Sequence, residues 1–352
     1  RVIPALLALI ERLSRVHEVH VFSLWQEPVA GRWQLAGATI HNLGHGWTHL
    51  RGIAAIRAEH RCAPFCAIHA IFSGPCGLVA AAAAKLLRLP CMIHVTGGEL
   101  VALRDIAYGG RLTWKGRLQE RLALRGADVV TATSAPVIEL LQSLGIRAQR
   151  VPLGVDLRKW PPRPPRARQQ GPARLIHVAS LNRVKDQTTL LQALARLAKT
   201  GVEFEMDIVG TDTLQGAMTA LVREYGLERC TRFLGFKTQR ELRPIVESAD
   251  LLVMSSRHEA GPFVLVEAAV AGVPTVGTAV GHIIEWAPSA ALAVPIANPE
   301  RLADAIHTLL ADEARRLCVA RAAQCRALSE DADYTARTFE ALYQRLAAGA
   351  RG

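Results

Sequence analysis

Apolar strand patterns and helical patterns alternate along almost the whole chain, and this alternation constrains the fold more than any other feature. In the first half, strand-like runs lie at 91–95 and 127–132. In the second half the alternation resumes at 174–179 and continues through 204–209 and 231–235. Strands that alternate with helices form parallel sheets covered on both faces. The sequence therefore predicts an α/β protein with doubly wound, Rossmann-like sheets.

A stretch rich in proline and arginine, 157–172, interrupts both periodicities. Proline removes a backbone donor that the interior of a helix or sheet needs. A chain of 352 residues is also long for a single core. We therefore predict that this stretch is a linker between a first domain, 1–160, and a second domain, 161–332, with a further helix in 333–352.

Positive charge is concentrated in the first half of the chain. Lys and Arg outnumber Asp and Glu by 19 to 10 through Trp160, but only by 23 to 21 beyond it. A basic surface attracts anionic partners, and no nucleic-acid-binding motif accompanies the charge. We predict an anionic membrane surface as a partner and no nucleic acid. The alternative, that the arginines reflect overall composition alone, stays open.

Cysteine usage and hydropathy indicate the compartment. The seven cysteines show neither a metal-type spacing nor a disulfide framework, which is typical of reduced thiols. No apolar run reaches the roughly 18 residues that a bilayer span requires. We predict a cytoplasmic protein that binds peripherally to the inner face of the plasma membrane.

Two glutamates, Glu259 and Glu267, lie eight residues apart, between an apolar strand and the following helix. The strand pattern covers 249–254, and the helical pattern covers 263–271 with Pro262 at its start. Glu259 therefore falls in the loop, and Glu267 falls about one turn into the helix. The free N–H groups of a helix start suit a phosphate, whereas a carboxylate repels one. We expect the glutamates to bind hydroxyl groups, as on a sugar or a ribose.

This arrangement resembles the Glu-seven-residues-Glu motif of retaining glycosyltransferases with the GT-B fold, specifically glycosyltransferase family 4. The segment 272–276 is similar to the family's Gly-x-Pro-hydrophobic-hydrophobic strand, and 280–285 to its following glycine turn and glutamate. The resemblance implies two Rossmann-like domains facing each other across a cleft, and a final helix, 333–352, that packs back on the first domain. It also implies that an N-terminal strand and its glycine-rich loop are missing from this sequence.

Further positions match the family's donor site. The resemblance implies that Lys185 contacts the donor pyrophosphate, as a binding and catalytic residue. Ser180 stands where the family has an arginine, and Arg183 is our prediction for the second positive charge. Gly210 lies in the family's glycine turn, and Phe236 follows the strand end that borders the nucleotide base.

The helix that carries the glutamates completes this predicted donor site. Backbone N–H groups of Phe263, Val264 and Leu265 are expected to hold the diphosphate. The resemblance implies that Glu267 binds the ribose hydroxyls and that Glu259, as a catalytic residue, binds the sugar. No second carboxylate is placed as a covalent nucleophile, so the family's front-face route is the predicted one.

On the acceptor side, the sequence Thr96-Gly97-Gly98-Glu99 resembles the family's His-Gly-Gly-Glu segment. Thr96 takes the place of the histidine, and His94 lies two residues earlier, on the same face of a strand. His94 is predicted to contact the acceptor; the alternative is a core histidine with satisfied hydrogen bonds. The remaining histidines suggest no ligand cluster, and no Asp-x-Asp pair is present, so no metal is predicted.

Taken with the resemblance, these residues predict a metal-independent, retaining transferase of hexosyl type. It would move sugar from a UDP- or GDP-sugar to a lipid-linked or polysaccharide acceptor in cell-surface glycan synthesis, with no cofactor beyond that donor. Two alternatives stay open: a nucleotide-sugar epimerase of GT-B architecture, and a degenerate, non-catalytic binding protein. A nicotinamide-dependent dehydrogenase is disfavoured because no Gly-x-Gly-x-x-Gly follows a strand pattern.

Overall fold

The alternating patterns fold into parallel sheets in two separate units of the chain. The computed structural model describes residues 3–349. The first unit runs to Gly154 and resumes at Ala332, and the second unit holds Val155–Asp331. The predicted α/β class with parallel sheets is confirmed. Among the described residues, none of the helices combines the length and apolar character needed to cross a membrane.

The first unit contains two sheets and the helices that cover them. Its elements in chain order are α1 Pro4–Leu13, β1 His20–Ser23, β2 Gly31–Leu35, β3 Ala38–Asn42, α2 Thr48–Cys62, β4 Ile68–Ile71, α3 Pro75–Leu87, β5 Cys91–Val95, α4 Trp114–Arg125, β6 Val129–Ala132, α5 Ala135–Ser143 and β7 Gln149–Arg150. Strands β4, β5, β6 and β7 pair in that order and in parallel. Every residue of β5 is buried, as expected of a strand covered on both faces.

A hairpin in the first unit is absent from our sequence predictions. Strands β2 and β3 pair in antiparallel fashion, while β1 joins β3 in parallel. Ala36 and Gly37 connect β2 to β3 with φ angles of 52° and 84°, the left-handed geometry that a tight hairpin turn needs. All five residues of β2 are exposed. A five-residue strand that is exposed throughout lacks the buried apolar run by which the other strands are predicted.

The second unit is built around one six-stranded parallel sheet. Its elements in chain order are β8 Ala173–Val178, α6 Gln187–Lys199, β9 Phe204–Val209, α7 Ala217–Glu224, β10 Thr231–Gly235, α8 Gln239–Ser248, β11 Leu251–Met254, α9 Phe263–Val270, β12 Thr275–Thr278, α10 Gly281–Trp286, β13 Leu292–Val294, α11 Pro299–Ala311 and α12 Glu313–Ser329. The last helix, α13 Ala332–Gly349, belongs to the first unit.

The strand order of the second unit reverses at its centre. The order is β10-β9-β8-β11-β12-β13, so the chain builds outward from β8 on one side and from β11 on the other. Alternate residues of β11 join opposite cores: Leu251 and Val253 pack on one face, and Leu252 and Met254 on the other. In such sheets, a crevice opens outside the carboxyl ends of the two strands where the order reverses. The loops that follow β8 and β11 line this switch point.

The proline- and arginine-rich stretch 157–172 is packed against the second unit. Trp160 is 1% exposed. The Arg163 backbone N–H donates to the Val270 carbonyl at the end of α9, at 3.0 Å. Gly272 has a φ of 73°, and a Cβ there would lie 2.6 Å from the Arg163 carbonyl oxygen. The chain leaves the first unit at Gly154, ahead of this stretch. The stretch predicted to link the two domains therefore packs against the second unit with an irregular backbone.

Candidate functional site

Two loops at the switch point of the second unit are joined into one platform. The first loop, 179–186, follows β8, and the second, 255–262, follows β11. The Ser255 hydroxyl donates to the Lys185 carbonyl at 2.8 Å, and the Arg257 backbone N–H donates to the Val184 carbonyl at 2.7 Å. These bonds fix the loops relative to each other across residues about 70 positions apart. Both residues predicted to be catalytic lie on this platform.

Lys185 and Glu259 form a direct ion pair. Lys185 Nζ lies 2.5 Å from Glu259 Oε1, and the Ser256 hydroxyl donates to the same carboxylate oxygen at 2.7 Å. The side chains are partly exposed, at 24% and 11% respectively. Since solvent reaches both groups, a ligand in the crevice can contact the ammonium and the carboxylate at one place.

The helix starts beside this platform differ in their capping. Asp186 caps α6, because its carboxylate accepts from the Thr189 backbone N–H at 3.3 Å. Helix α9 begins after Pro262, and the described structure shows no side chain that caps it. Its third amide, on Leu265, donates to the Pro262 carbonyl at 3.2 Å. The first two amides, on Phe263 and Val264, therefore offer the stronger anion seat, and Leu265 contributes less than the sequence predicts.

Glu267 lies on α9, buried to 4% exposure. Burial raises the pKa of its carboxyl to about 7, opposed by a hydrogen bond from Gln239. Gln239 Nε2 donates to Glu267 Oε1 at 2.9 Å. Gln239 is absent from our sequence predictions, although the capping box formed by Thr238 and Glu241 marks the start of its helix. The position of Gln239 beside Glu267 follows from the fold and not from that local signal.

Gly210 holds the loop after β9 against the loop after β8. A Cβ at this glycine would lie 1.9 Å from the Ala179 carbonyl oxygen, so another residue would push the loops apart. The same Cβ would lie 3.0 Å from the Ser180 backbone nitrogen. Gly210 is therefore required for packing between loops. Of the other predicted donor residues, Ser180, Arg183 and Phe236 are exposed.

A series of buried hydrogen bonds supports the loop of Lys185. Its two side chains, His177 and Gln187, are absent from our predicted site residues. His177 on β8 is fully buried; its Nδ1 lies 2.9 Å from the Val253 carbonyl of β11, and its Nε2 3.2 Å from Gln187 Nε2. Nδ1 must therefore carry the proton and Nε2 must accept. Gln187 Nε2 also donates to the Ser180 carbonyl at 3.2 Å. Burial lowers the pKa of His177 to about 4, so the ring is neutral and keeps this arrangement at physiological pH.

The turn after β12 packs behind the loop of Glu259. Gly281 has a φ of 50°, and a Cβ there would lie 2.9 Å from the Glu259 carbonyl oxygen. The following His282 is buried, with Nδ1 3.3 Å from Glu285 Oε2. Glu285 also pairs with Arg326 of α12. Gly281 in the segment 280–285 thus packs against the backbone of the Glu259 loop.

In the first unit, the predicted acceptor loop is arranged around an inward-turned carboxylate. Glu99 Oε1 lies 3.3 Å from the Ser73 backbone nitrogen and 3.4 Å from that of Thr96, and so links the ends of β4 and β5. A Cβ at Gly97 would lie 2.7 Å from Glu99 Oε2, and one at Gly98 would lie 2.4 Å from the Tyr108 hydroxyl. Burial raises the pKa of the Glu99 carboxyl, while these backbone donors lower it. Glu99 therefore holds the loop in shape.

His94 lies in the core of the first unit and not on its surface. The side chain is fully buried, with Nδ1 2.9 Å from the Thr131 hydroxyl and Nε2 3.3 Å from the Thr133 hydroxyl. Burial lowers the pKa of the ring to about 3. The assignment of His94 to the acceptor side is therefore corrected in favour of the alternative, a satisfied core histidine. The alternation of side chains along a strand predicts on which face of the sheet His94 lies. It does not predict exposure, because both faces of the sheet are covered at β5.

One group in the first unit could hold a metal ion: His20, His41 and Glu59. His41 Nε2 lies 3.1 Å from His20 Nδ1, which in turn lies 3.6 Å from Glu59 Oε2. The expectation that the histidines form no ligand cluster is wrong here, because the pairing of β1 with β3 brings distant residues together. The two histidines already hydrogen-bond to each other, and Arg32 pairs with Glu59 at 3.3 Å. These contacts account for the arrangement without an ion.

Both units match known glycosyl transferase families. The family model "Glycosyl transferases group 1" matches residues 159–326, and the model "Glycosyl transferase 4-like domain" matches residues 2–154. Glycogen synthase of Mycobacterium tuberculosis is 33% identical over 183 residues, 51% of this chain and 44% of that protein. The putative glycosyltransferase EpsF of Bacillus subtilis is 30% identical over 233 residues, 60% of this chain and 57% of that protein. The chain thus spans about half the length of these curated relatives.

Solved structures with the same fold cover nearly the whole chain. A sucrose-phosphate synthase from Thermosynechococcus elongatus aligns with a TM-score of 0.82 at 20% identity, over 97% of this chain and 92% of that one. Anabaena Alr3699/HepE in complex with UDP and glucose aligns with a TM-score of 0.75 at 18% identity, over 97% of this chain and 96% of that one. At such identities the likeness establishes the fold.

Proposed function

Because the chain belongs to the group 1 glycosyl transferases of glycosyltransferase family 4, with the GT-B fold, we propose that it transfers a sugar from a nucleotide-diphosphate donor with retention of configuration. The observation that carries the proposal is the Lys185–Glu259 pair at the switch point, beside the uncapped start of α9. A cation, free helix amides and a carboxylate at one place suit a ligand with both phosphate and hydroxyl groups. The structural relative bound to UDP and glucose supports this class of donor.

The diphosphate would be held by Lys185 and the first amides of α9. Lys185 Nζ exchanges its contact with Glu259 for a phosphate oxygen when the donor binds. The N–H groups of Phe263 and Val264 point along the helix axis toward the same anion, where the helix dipole is positive. Groups fixed before the reaction stabilise the charge that develops on the leaving diphosphate. Since protein groups supply this stabilisation, we propose that the transferase needs no metal ion.

The two glutamates divide the hydroxyl groups of the donor between them. Glu259 lies on the platform and would bind the sugar hydroxyls, which fixes the anomeric carbon for front-face attack. Glu267 is deeper and would accept from the ribose hydroxyls. Gln239 orients the Glu267 carboxylate through the bond to Oε1. Because an ionised carboxylate accepts hydroxyl protons better than a neutral acid, donor binding favours the ionised form of Glu267.

We place the acceptor with the first unit, where Thr96, Gly97 and Gly98 form the loop after β5. Glu99 shapes this loop from inside and is not proposed to touch the acceptor. A relative named as a putative colanic acid biosynthesis glycosyltransferase of Escherichia coli supports a polysaccharide or its lipid-linked precursor as the proposed acceptor. The proposed reaction is therefore hexosyl transfer in cell-surface glycan synthesis.

Radiolabelled UDP- and GDP-sugars, with and without a crude membrane acceptor, test this proposal. We expect label to move from the nucleotide to the acceptor fraction, and the transfer to be lost in Lys185→Ala but kept in Lys199→Ala. Lys199 is an exposed lysine of the same unit and serves as the matched control. A labelled sugar that stays linked to the nucleotide, with the configuration of one sugar carbon inverted, would identify an epimerase. Donor that binds without any turnover would identify a non-catalytic binding protein, and either result contradicts the proposal.

A further inference from the structure

Helix α4 in the first unit presents an apolar ridge to solvent. Trp114, Leu118 and Leu122 are spaced four residues apart and therefore line one side of the helix. They are 63%, 46% and 52% exposed. The opposite side supplies Ala123 and Leu124 to the core. The helix is thus anchored by its inner face, and the exposed ridge lies outside the core of the unit.

A second ridge, of arginines, runs parallel to the first. Arg117, Arg121 and Arg125 repeat the four-residue spacing beside the apolar ridge, and all three are exposed. Lys115 lies on the other flank, with Nζ 5.9 Å from the centre of the Trp114 ring. The outer face of α4 therefore combines three large apolar side chains with four cations.

The one carboxylate of this helix is turned away from that face. Glu120 is 4% exposed, and its Oε2 lies 3.6 Å from Arg111 Nε. The outward surface consequently has a single sign of charge. An amphipathic helix with tryptophan and leucine beside a continuous row of arginine is suited to lie in the interface of a bilayer that contains anionic lipid.

We propose that the outer face of α4 docks the protein on an anionic lipid surface. Trp114, Leu118 and Leu122 enter the boundary between headgroups and acyl chains, and the arginine ridge pairs with lipid phosphates. The positive charge of the arginine ridge complements the negative charge of the lipid phosphates, and this favours a lipid surface as the partner. A second copy of the chain would bring two arginine ridges together, and like charges would oppose that contact. The proposal goes beyond the proposed function, because lipid binding is measured without any sugar donor.

Vesicle co-sedimentation of the whole chain tests the charged ridge. The vesicles contain phosphatidylcholine alone or mixed with phosphatidylglycerol, and we expect binding only to the mixture. Arg121→Gln/Arg125→Gln should lower the partition coefficient about 30-fold, since each basic residue near an anionic leaflet contributes about a factor of five. Arg57→Gln/Arg61→Gln is the matched control, because it removes the same charge from exposed positions four apart on α2.

The apolar ridge is tested by Leu118→Glu against Leu86→Glu, a leucine that is 55% exposed on α3. We expect Leu118→Glu to abolish sedimentation with the mixed vesicles and Leu86→Glu to keep it. Circular dichroism of each variant verifies that the fold is retained. The proposal would be overturned if the Arg121→Gln/Arg125→Gln variant and its control on α2 lost vesicle binding equally. It would also be overturned if the wild type did not bind anionic vesicles at all. A concentration-dependent dimer in sedimentation velocity that Leu118→Glu abolishes would overturn it too, since the face would then join copies of the chain.

Discussion

The loop of Glu259 in the second unit and the loop of Glu99 in the first unit each carry a glutamate, and the two side chains turn in opposite directions. Each loop follows a buried parallel strand and contains a glutamate. Glu259 meets a lysine ammonium and a hydroxyl at the surface of a crevice. Glu99 turns inward to backbone N–H groups at the ends of two strands. The partner of the carboxylate, and not its place after a strand, distinguishes the proposed ligand-binding role of Glu259 from the structural role of Glu99.

The largest expected effect is on turnover in Glu259→Gln. If this carboxylate orients the sugar in the transition state, kcat should fall about 100- to 1,000-fold, the scale of losing one preorganised contact. Affinity for UDP should stay equal or rise, because Lys185 loses its competing partner. Steady-state kinetics and calorimetry measure the two quantities, with Glu224→Gln, an exposed glutamate of the same unit, as control. Unchanged kcat would remove Glu259 from the reaction.

Lys185→Ala should have the next largest effect, on the affinity for nucleoside diphosphate. A hydrogen bond to a charged group is worth about 1.5–3 kcal/mol, which is about 10- to 150-fold in the dissociation constant. Affinity for the nucleoside without phosphates should not change, because Lys185 is assigned to phosphate alone. Calorimetric titrations with UDP, GDP and their nucleosides make the comparison against Lys199→Ala. Equal weakening for nucleoside and diphosphate would contradict the assignment.

Glu99→Ala should act on stability and not on donor binding. The change leaves backbone N–H groups of Ser73 and Thr96 without their acceptor, at a cost of about 1–3 kcal/mol in the free energy of unfolding. Urea denaturation measures the loss, and Glu139→Ala, an exposed glutamate of the same unit, should show almost none. A stable Glu99→Ala variant with a raised acceptor KM would instead make Glu99 a binding residue.

The smallest effect is a pH dependence of the donor KM. Burial raises the pKa of Glu267 to about 7, so its carboxyl becomes protonated as pH falls through that value. The ionised form accepts the ribose hydroxyls better, and the donor KM should therefore rise several-fold below about pH 7. Glu267→Gln should have a raised KM that no longer changes in this range. Gln239→Ala should move the midpoint upward, since the bond from Gln239 lowers this pKa. A flat profile in the wild type would contradict the role of Glu267.

Local sequence signals were sufficient to predict the secondary structure of the segment around the two glutamates. The apolar run of β11, the proline before α9 and the glycine turn at Gly281 each have a strong backbone preference. The structure accordingly gives helix Phe263–Val270 where the pattern predicts 263–271. The ion pair between Lys185 and Glu259 was not predictable in the same way. It depends on β8 lying next to β11, and strand order is not encoded in local periodicity.

The residues that sequence analysis misassigned or omitted share this dependence on long-range packing. His94 and His177 are both strand histidines, and only the fold shows that a neighbouring strand satisfies Nδ1 of each ring. The Nε2 partners are Thr133, just after β6, and Gln187 of α6. Gln239 reaches Glu267 from another helix, 28 positions away in the chain. The group of His20, His41 and Glu59 is likewise assembled from three elements. Polar side chains whose partners are distant in sequence are therefore the least predictable part of the site.

A structure of the protein with a bound nucleoside diphosphate tests the central claim most directly, namely that the donor site lies at the switch point of the second unit. We predict a phosphate oxygen within hydrogen-bonding distance of Lys185 Nζ and of the Phe263 and Val264 amides. We also expect Lys185 to turn from Glu259 toward that phosphate, while Glu99 keeps its backbone partners. Phosphates bound at the Thr96–Glu99 loop, or away from Lys185, would contradict it.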